Sequence, residues 1–224
     1  MTLVTPETAA PAQVAPFVRP RRRKDAWLVP AVFTGCLAPL ALLLLRAARG
    51  QLGANPIAEA MNQLGGTALP LLVASLACTP LKTAFGWTWP IKVRKTLGNF
   101  GFFYVCVHLA TYAGLDQVLR LGDIVKDVTE RPFILVGFSA FLLLVPLAAT
   151  STSSMLKRLG AARWKRLHRL AYVAASLGVV HFALRVKKDL REPLLYGAVL
   201  ALLFGVRVWA WSRDAARSRS GRAA

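Results

Sequence analysis

Two histidines, His108 and His181, lie inside long apolar stretches of this sequence, and their positions point to metal chemistry. The sequence contains three histidines, of which His168 is the third. An ionisable imidazole is costly in hydrocarbon, so a histidine within a membrane segment is expected to have a functional role. Two neutral imidazoles at one depth on two helices are readily held by a metal between them. In membranes that metal is commonly haem iron.

The composition is that of an all-α integral membrane protein. Of the 224 residues 55% are hydrophobic and 17% charged, and the mean hydropathy is +0.47. The net charge of +19 does not predict nucleic-acid binding, because the basic residues fall between apolar runs, as topology signals do. Cys36, Cys78 and Cys106 match no zinc or iron–sulfur spacing, so we interpret them as small apolar fillers without a disulfide.

Six apolar segments predict a six-helix transmembrane bundle, since each approaches the roughly 20 residues that cross a bilayer. We expect a disordered cytoplasmic tail over 1–25, one transmembrane haem-binding domain over 26–212 and a basic cytoplasmic tail over 213–224. The second segment is interrupted by Pro70, Pro80 and Lys82, which predicts a short or broken span. The predicted spans are 27–45, 67–85, 97–119, 132–150, 167–186 and 193–211.

The distribution of lysine and arginine predicts that both termini are cytoplasmic. Nineteen of these residues fall in the N-terminal tail, the 82–95 and 157–169 connections and the C-terminal tail, against nine on the other side. Cytoplasmic connections carry the excess of positive charge. The 46–66, 120–131 and 187–192 connections are then external.

The two apolar histidines are predicted to lie at one depth. His108 is 13 residues beyond Lys95, roughly 20 Å along a helix, and His181 is 15 beyond Arg166, roughly 22 Å. Both spans run outward from the cytoplasm. The pair is therefore expected in the outer half of the bilayer, where one iron could bridge it.

Residues near the pair fit a flat macrocycle. Gly101 and Gly178 share a helix face with His108 and His181, respectively, and a missing side chain lets a porphyrin approach the backbone. Close helix packing through small residues is the alternative interpretation. Arg185, one turn outward from His181, is a candidate partner for a haem propionate or a snorkelling topology charge.

His168 is predicted at the cytoplasmic interface, two residues beyond Arg166. On an ideal helix it is turned about 140° from His181. The spacing leaves open a second haem, a quinone or flavin headgroup, or a purely interfacial position.

Two sets of motifs surround the three histidines. One set is the run 146–151 (PLAATS), Leu159-Gly160, Trp164, 167–172 (LHRLAY) and His181. The other is 94–98 (RKTLG) leading to Tyr104 and His108, then Asp116 and 131–134 (RPFI). Together these motifs resemble the haem-binding membrane subunits of the bacterial periplasmic methionine-sulfoxide reductase systems (the MsrQ family), relatives of ferric-reductase-like transmembrane domains. The resemblance covers roughly residues 67–207.

The resemblance implies a b-type haem conduit in the bacterial inner membrane, with His108, His168 and His181 at the family's histidine positions. It implies electrons from the quinone pool or a cytoplasmic flavin reductase, delivered to a periplasmic molybdopterin subunit that reduces methionine sulfoxide. It also implies bound FMN, although the sequence has no G-x-G-x-x-G fingerprint. Relatives that oxidise NADPH carry a soluble flavin domain after the last helix. This sequence continues for 13 residues after Trp211, so we expect another molecule to supply the electrons.

Two further hypotheses compete with an electron-transfer subunit. A small transporter would place the histidines in a proton or metal path, and it would be expected to show inverted repeats. A structural or assembly subunit would use them for hydrogen bonds between helices. No residue that would act on methionine sulfoxide itself is evident, so the chain is predicted not to be an enzyme on its own.

Overall fold

The computed structural model describes residues 25–186 and 189–220, with side chains described as far as 213. This part of the chain is helical, and its helices are α1 (Leu28–Ala48), α2 (Pro56–Phe85), α3 (Trp89–Thr111), α4 (Leu121–Glu130), α5 (Pro132–Ala149), α6 (Ser153–Leu159), α7 (Ala161–Leu167), α8 (Leu170–Arg185) and α9 (Arg191–Ser220). A π-helical turn, Tyr112–Asp116, continues α3. Residues 1–24 of the predicted 1–25 tail lie outside the described residues, whereas most of the predicted 213–224 tail continues α9.

Five or six helical segments of the described chain are long and apolar enough to cross a membrane, which confirms the predicted fold class. Five meet this test by themselves: α1, α2, α5, the stretch Ala161–Arg185 and Arg191–Arg213. The remaining predicted span, 97–119, lies largely in α3 and the turn that continues it. This segment meets the test only together with α4, and the two are bent by 118°. Most large apolar side chains on α1 and α9 are exposed, as are Leu135, Leu142 and Val145 on α5, which is expected of surfaces that face lipid.

The prediction of a short or broken second span is wrong. α2 is continuous over 30 residues, contains both Pro70 and Pro80, and begins eleven residues before the predicted start at residue 67. Asn55 caps its first turn by accepting a hydrogen bond from Ala58 N at 3.0 Å, and Pro56 occupies the first helical position. α2 is the most buried of the candidate spans. Neighbouring helices can satisfy backbone groups that prolines leave unpaired.

The connections also contain more helix than predicted. Residues 120–131, expected as a loop, include α4, whose apolar residues Leu121, Ile124, Val125 and Val128 recur at helical spacing. The predicted 157–169 connection is largely occupied by α6 and α7. Short amphipathic helices were missed because they are too short to give a membrane-span signal.

Four helices form the part of the fold that positions the histidines. α3 packs closely along α2, and α8 packs closely along α5, so the centre of the molecule consists of two helix pairs. α2 also contacts α8, and α3 contacts α5, which closes the four into a bundle. α1 covers the α2–α3 pair around the buried residues Leu64, Phe100 and Tyr104. α9 covers α2 and α8.

Candidate metal centre

His108 and His181 face each other across the two helix pairs. His108 lies in the last turn of α3 and His181 in the last turns of α8. Their ring centroids are 6.3 Å apart, and their ring planes meet at 81°. The proximity predicted from matched depth is therefore observed. The α2–α3 helix pair contributes His108, and the α5–α8 helix pair contributes His181.

The spacing of the rings suits a metal bound between them. Metal–imidazole bonds are about 2 Å long and a ring nitrogen lies about 1 Å from its ring centre, so two opposed ligand rings have centres about 6 Å apart. The observed separation of 6.3 Å agrees with this estimate.

Hydrogen bonds leave the same nitrogen available on each ring. His108 Nδ1 lies 3.0 Å from the carbonyl oxygen of Met61 on α2, and His181 Nδ1 lies 2.6 Å from the carbonyl oxygen of Phe133 on α5. A carbonyl only accepts, so Nδ1 carries the proton in both rings and donates it. Nε2 then keeps its lone pair, which is the form of histidine that ligates metals.

The number of donors indicates what kind of metal group would fit. Among the described residues, no group of three or more His, Cys, Asp or Glu side chains is placed to hold a metal ion. A structural zinc site takes four protein ligands. Haem brings its own equatorial nitrogens and can be held through axial histidines. Two opposed imidazoles therefore fit haem better than a bare ion.

Gly101 and Gly178 have a different role from the predicted one. A Cβ on Gly101 would lie 2.7 Å from Leu72 Cδ2 and 3.2 Å from Leu72 N, and a Cβ on Gly178 would lie 3.4 Å from Leu69 Cδ1. Both glycines therefore face α2, and they serve the close approach of helices rather than space for a macrocycle. This corrects the expectation from sequence in favour of its alternative.

Two other glycines, Gly65 and Gly137, contact the histidines, and sequence reasoning missed them. A Cβ on Gly65 of α2 would lie 3.5 Å from His108 Nδ1, and a Cβ on Gly137 of α5 would lie 2.7 Å from His181 Nδ1. The sequence gives no signal for either contact, because both depend on which helices become neighbours.

Arg185 bridges the two helix pairs beside this site. Its guanidinium donates a hydrogen bond to Asn62 Oδ1 on α2, next to the Met61 carbonyl that binds His108, and lies 5.8 Å from the Phe182 ring centre. None of the ion pairs within the described residues involves Arg185. A cationic side chain with a neutral partner thus lies near the two imidazoles.

The structure does not bring His168 to the other two histidines. His168 ends α7, where its Nε2 lies 3.1 Å from Thr150 Oγ1 and its ring stacks on Trp164 at 3.8 Å. Trp164 Nε1 in turn donates to the Thr150 carbonyl at 2.9 Å. These contacts tie α7 to the end of α5 and favour the interfacial interpretation of His168, whose predicted place among the metal ligands stays a prediction.

Comparisons with known proteins show what this chain is similar to. Residues 63–179 match the family model described as "Ferric reductase like transmembrane component", a stretch that contains both His108 and His168. The chain is similar to proteins named "Protein-methionine-sulfoxide reductase heme-binding subunit MsrQ". That of Rhodospirillum rubrum is 51% identical over 193 residues, which are 86% of this chain and 91% of the relative. That of Deinococcus radiodurans is 51% identical over 80% of this chain and 88% of the relative. That of Caulobacter vibrioides is 43% identical over 89% and 95%.

Proposed function

We propose, from the premise that this chain belongs to the MsrQ family within the ferric-reductase-like transmembrane proteins, that it carries electrons outward across the bacterial inner membrane through a b-type haem. The family establishes a membrane haem-binding subunit of a methionine-sulfoxide reductase system. The ligand residues, the haem type, the electron donor and the catalytic partner are the proposal.

The opposed pair of imidazoles carries the proposal. His108 and His181 would bind the iron through Nε2, since Nδ1 of each is engaged with a backbone carbonyl. Haem supplies one-electron chemistry when bound. The sequence lacks the C-x-x-C-H motif of covalent haem attachment, which supports a non-covalent b-type group. Arg185 would place its positive charge beside a propionate.

The direction of transfer follows from the predicted topology. With both termini cytoplasmic, the histidine pair lies in the outer part of the bilayer, and haem would hold its electron near the external face. We propose the quinone pool or a cytoplasmic flavin reductase as the donor. A periplasmic molybdopterin subunit that reduces methionine sulfoxide is the proposed acceptor. FMN remains an expectation from the family resemblance, and no contact among the described residues adds support for it.

Absorption spectroscopy of three purified alanine variants tests this assignment. Wild type should show a six-coordinate b-type spectrum, and pyridine haemochrome with iron analysis should give haem per chain. His108→Ala and His181→Ala should each lose most of the haem. His168→Ala, the matched control, should keep the six-coordinate spectrum because its ring is engaged with Thr150 and Trp164. A colourless wild type, or full haem retention in both variants of the pair, would refute the proposal.

A further inference from the structure

Both histidines of the pair are held in the same way by the neighbouring helix. His108 donates through Nδ1 to the carbonyl of Met61, and its ring lies against Gly65, four residues later on α2. His181 donates to the carbonyl of Phe133, and its ring lies against Gly137, four residues later on α5. A carbonyl at position i with a glycine at i+4 therefore recurs on both sides of the site.

Helix geometry explains why the fourth residue is a glycine. Every Cα–Cβ bond in an α-helix tilts towards the N-terminus, so the side chain at i+4 points over the carbonyl of residue i. A ring from another helix comes closest to that carbonyl where the covering side chain is missing. Gly65 and Gly137 provide such openings, and without a side chain they let the imidazole lie against the helix backbone.

We infer that Gly137 is a positioning residue for the metal centre, which fixes the orientation of the His181 ring through the carbonyl of Phe133, and that Gly65 forms the looser counterpart of this arrangement beside His108 and Met61. The inference rests on the proposed haem function. The carbonyl hydrogen bonds keep the proton on Nδ1 and set the angle of 81° between the ring planes. The orientation of the ligands is thus encoded on α2 and α5, which carry neither histidine.

The two glycines differ in how tightly they enclose their rings. A Cβ at position 137 would lie 2.7 Å from His181 Nδ1, 2.9 Å from Cε1 and 3.1 Å from Cγ, so the ring would have to move. A Cβ at position 65 would lie 3.5 Å from His108 Nδ1 and Cε1, which is ordinary van der Waals contact. A Cβ on the adjacent Gly66 meets nothing within 4 Å. The chain thereby provides a graded series of alanine substitutions with its own control.

The test compares Gly137→Ala, Gly65→Ala and Gly66→Ala with wild type in the full-length haem-containing protein. Three properties are measured: haem retained per chain, the ferric electron paramagnetic resonance spectrum, and ring N–H signals of ¹⁵N-labelled histidine in the diamagnetic reduced state. Near-perpendicular ligand planes give a strongly anisotropic ferric signal, and a ring N–H bonded to a carbonyl exchanges slowly with solvent. These spectroscopic readouts respond to ring orientation and do not depend on reductase activity.

We expect Gly66→Ala to match wild type and Gly65→Ala to stay close to it. Gly137→Ala should weaken haem binding by about 10–100-fold, as loss of a hydrogen bond to a metal-ligating histidine typically does. The haem that remains should show a shifted ferric signal and a faster-exchanging His181 N–H. If Gly137→Ala does not fold, two slowly exchanging Nδ1–H signals in wild type support the inference, and their absence overturns it.

Two results would overturn the inference while leaving the proposed function intact. One is a Gly137→Ala protein with wild-type haem content, ferric signal and N–H exchange. The other is an equal loss in Gly66→Ala, which would indicate that alanine lowers haem binding even where its Cβ contacts no ligand ring. Failure of the proposed function itself looks different, because His181→Ala would then retain its haem.

Discussion

Substitution of Tyr104 by phenylalanine is expected to destabilise the protein, because the tyrosine hydroxyl makes hydrogen bonds with two backbone groups of the neighbouring helix α1. The side chain is 1% exposed. Its hydroxyl donates to the carbonyl of Cys36 at 2.7 Å and accepts from Leu40 N at 3.1 Å. Cys36 and Leu40 are four residues apart on α1, so these two groups would bond each other in a regular helix. The hydroxyl therefore bonds both members of one helical backbone pair, beside Pro39.

The size of the effect follows from the two hydrogen bonds that are lost. A side-chain hydrogen bond in a membrane protein contributes about 0.6 kcal/mol on average and up to about 1.7 kcal/mol. Two such bonds predict a decrease of about 1–3 kcal/mol in the free energy of unfolding. This corresponds to a roughly 5- to 150-fold change in the unfolding equilibrium, because each 1.4 kcal/mol is about tenfold.

Reversible unfolding in mixed micelles measures this difference. Tyr196→Phe is the matched control, since Tyr196 is on α9 and its hydroxyl makes no hydrogen bond with the described residues. The control should unfold at the wild-type detergent fraction. Equal stability of Tyr104→Phe and Tyr196→Phe would show that Cys36 and Leu40 bond each other directly once the hydroxyl is gone, and the reasoning would then be wrong.

Two glycine substitutions should also lower stability in the same unfolding assay. Gly101→Ala would bring a Cβ within 2.7 Å of Leu72 Cδ2, so we expect a loss of about 1–3 kcal/mol from overpacking of α2 against α3. Gly35→Ala, with nothing within 4 Å, is its control, and equal values for the two would refute the packing argument. Gly160 has φ 74° and ψ 152°, a region that is essentially restricted to glycine, so Gly160→Ala should cost about 1–3 kcal/mol. Gly122→Ala, unobstructed and without a positive φ, should cost less, and the opposite order would contradict this prediction.

The proximity of His108 and His181 was predictable because it depends on quantities that the sequence contains. Charged residues mark the cytoplasmic ends of two parallel spans, and the rise per residue converts sequence distance into depth. The six-segment pattern follows from the length and hydrophobicity of the runs. Both inferences rest on local sequence and on the thickness of the bilayer, and they need no knowledge of which helices are neighbours.

The contacts around the pair were not predictable from the sequence, because they depend on which helices are neighbours. Gly65 and Gly137 contact the histidines only because α2 packs on α3 and α5 on α8, and glycine is common in membrane helices. Gly101 and Gly178, chosen because they share a face with a histidine on its own helix, face α2 instead. The early start of α2 was missed because polar residues such as Glu59 and Asn62 hide a helix from a hydrophobicity signal.

The division of the two imidazoles between separate helix pairs has a consequence for assembly. Under the proposed assignment, the half that contains α2 and α3 leaves the ribosome with one ligand, and the second ligand follows only when α8 has been made. At about 5–20 residues per second, this delay is several seconds. The iron would bind both histidines only after α8 has been inserted, and it would then link the α2–α3 pair to the α5–α8 pair. Cells starved of haem should therefore accumulate a chain whose halves are easily separated by protease in the 120–131 segment.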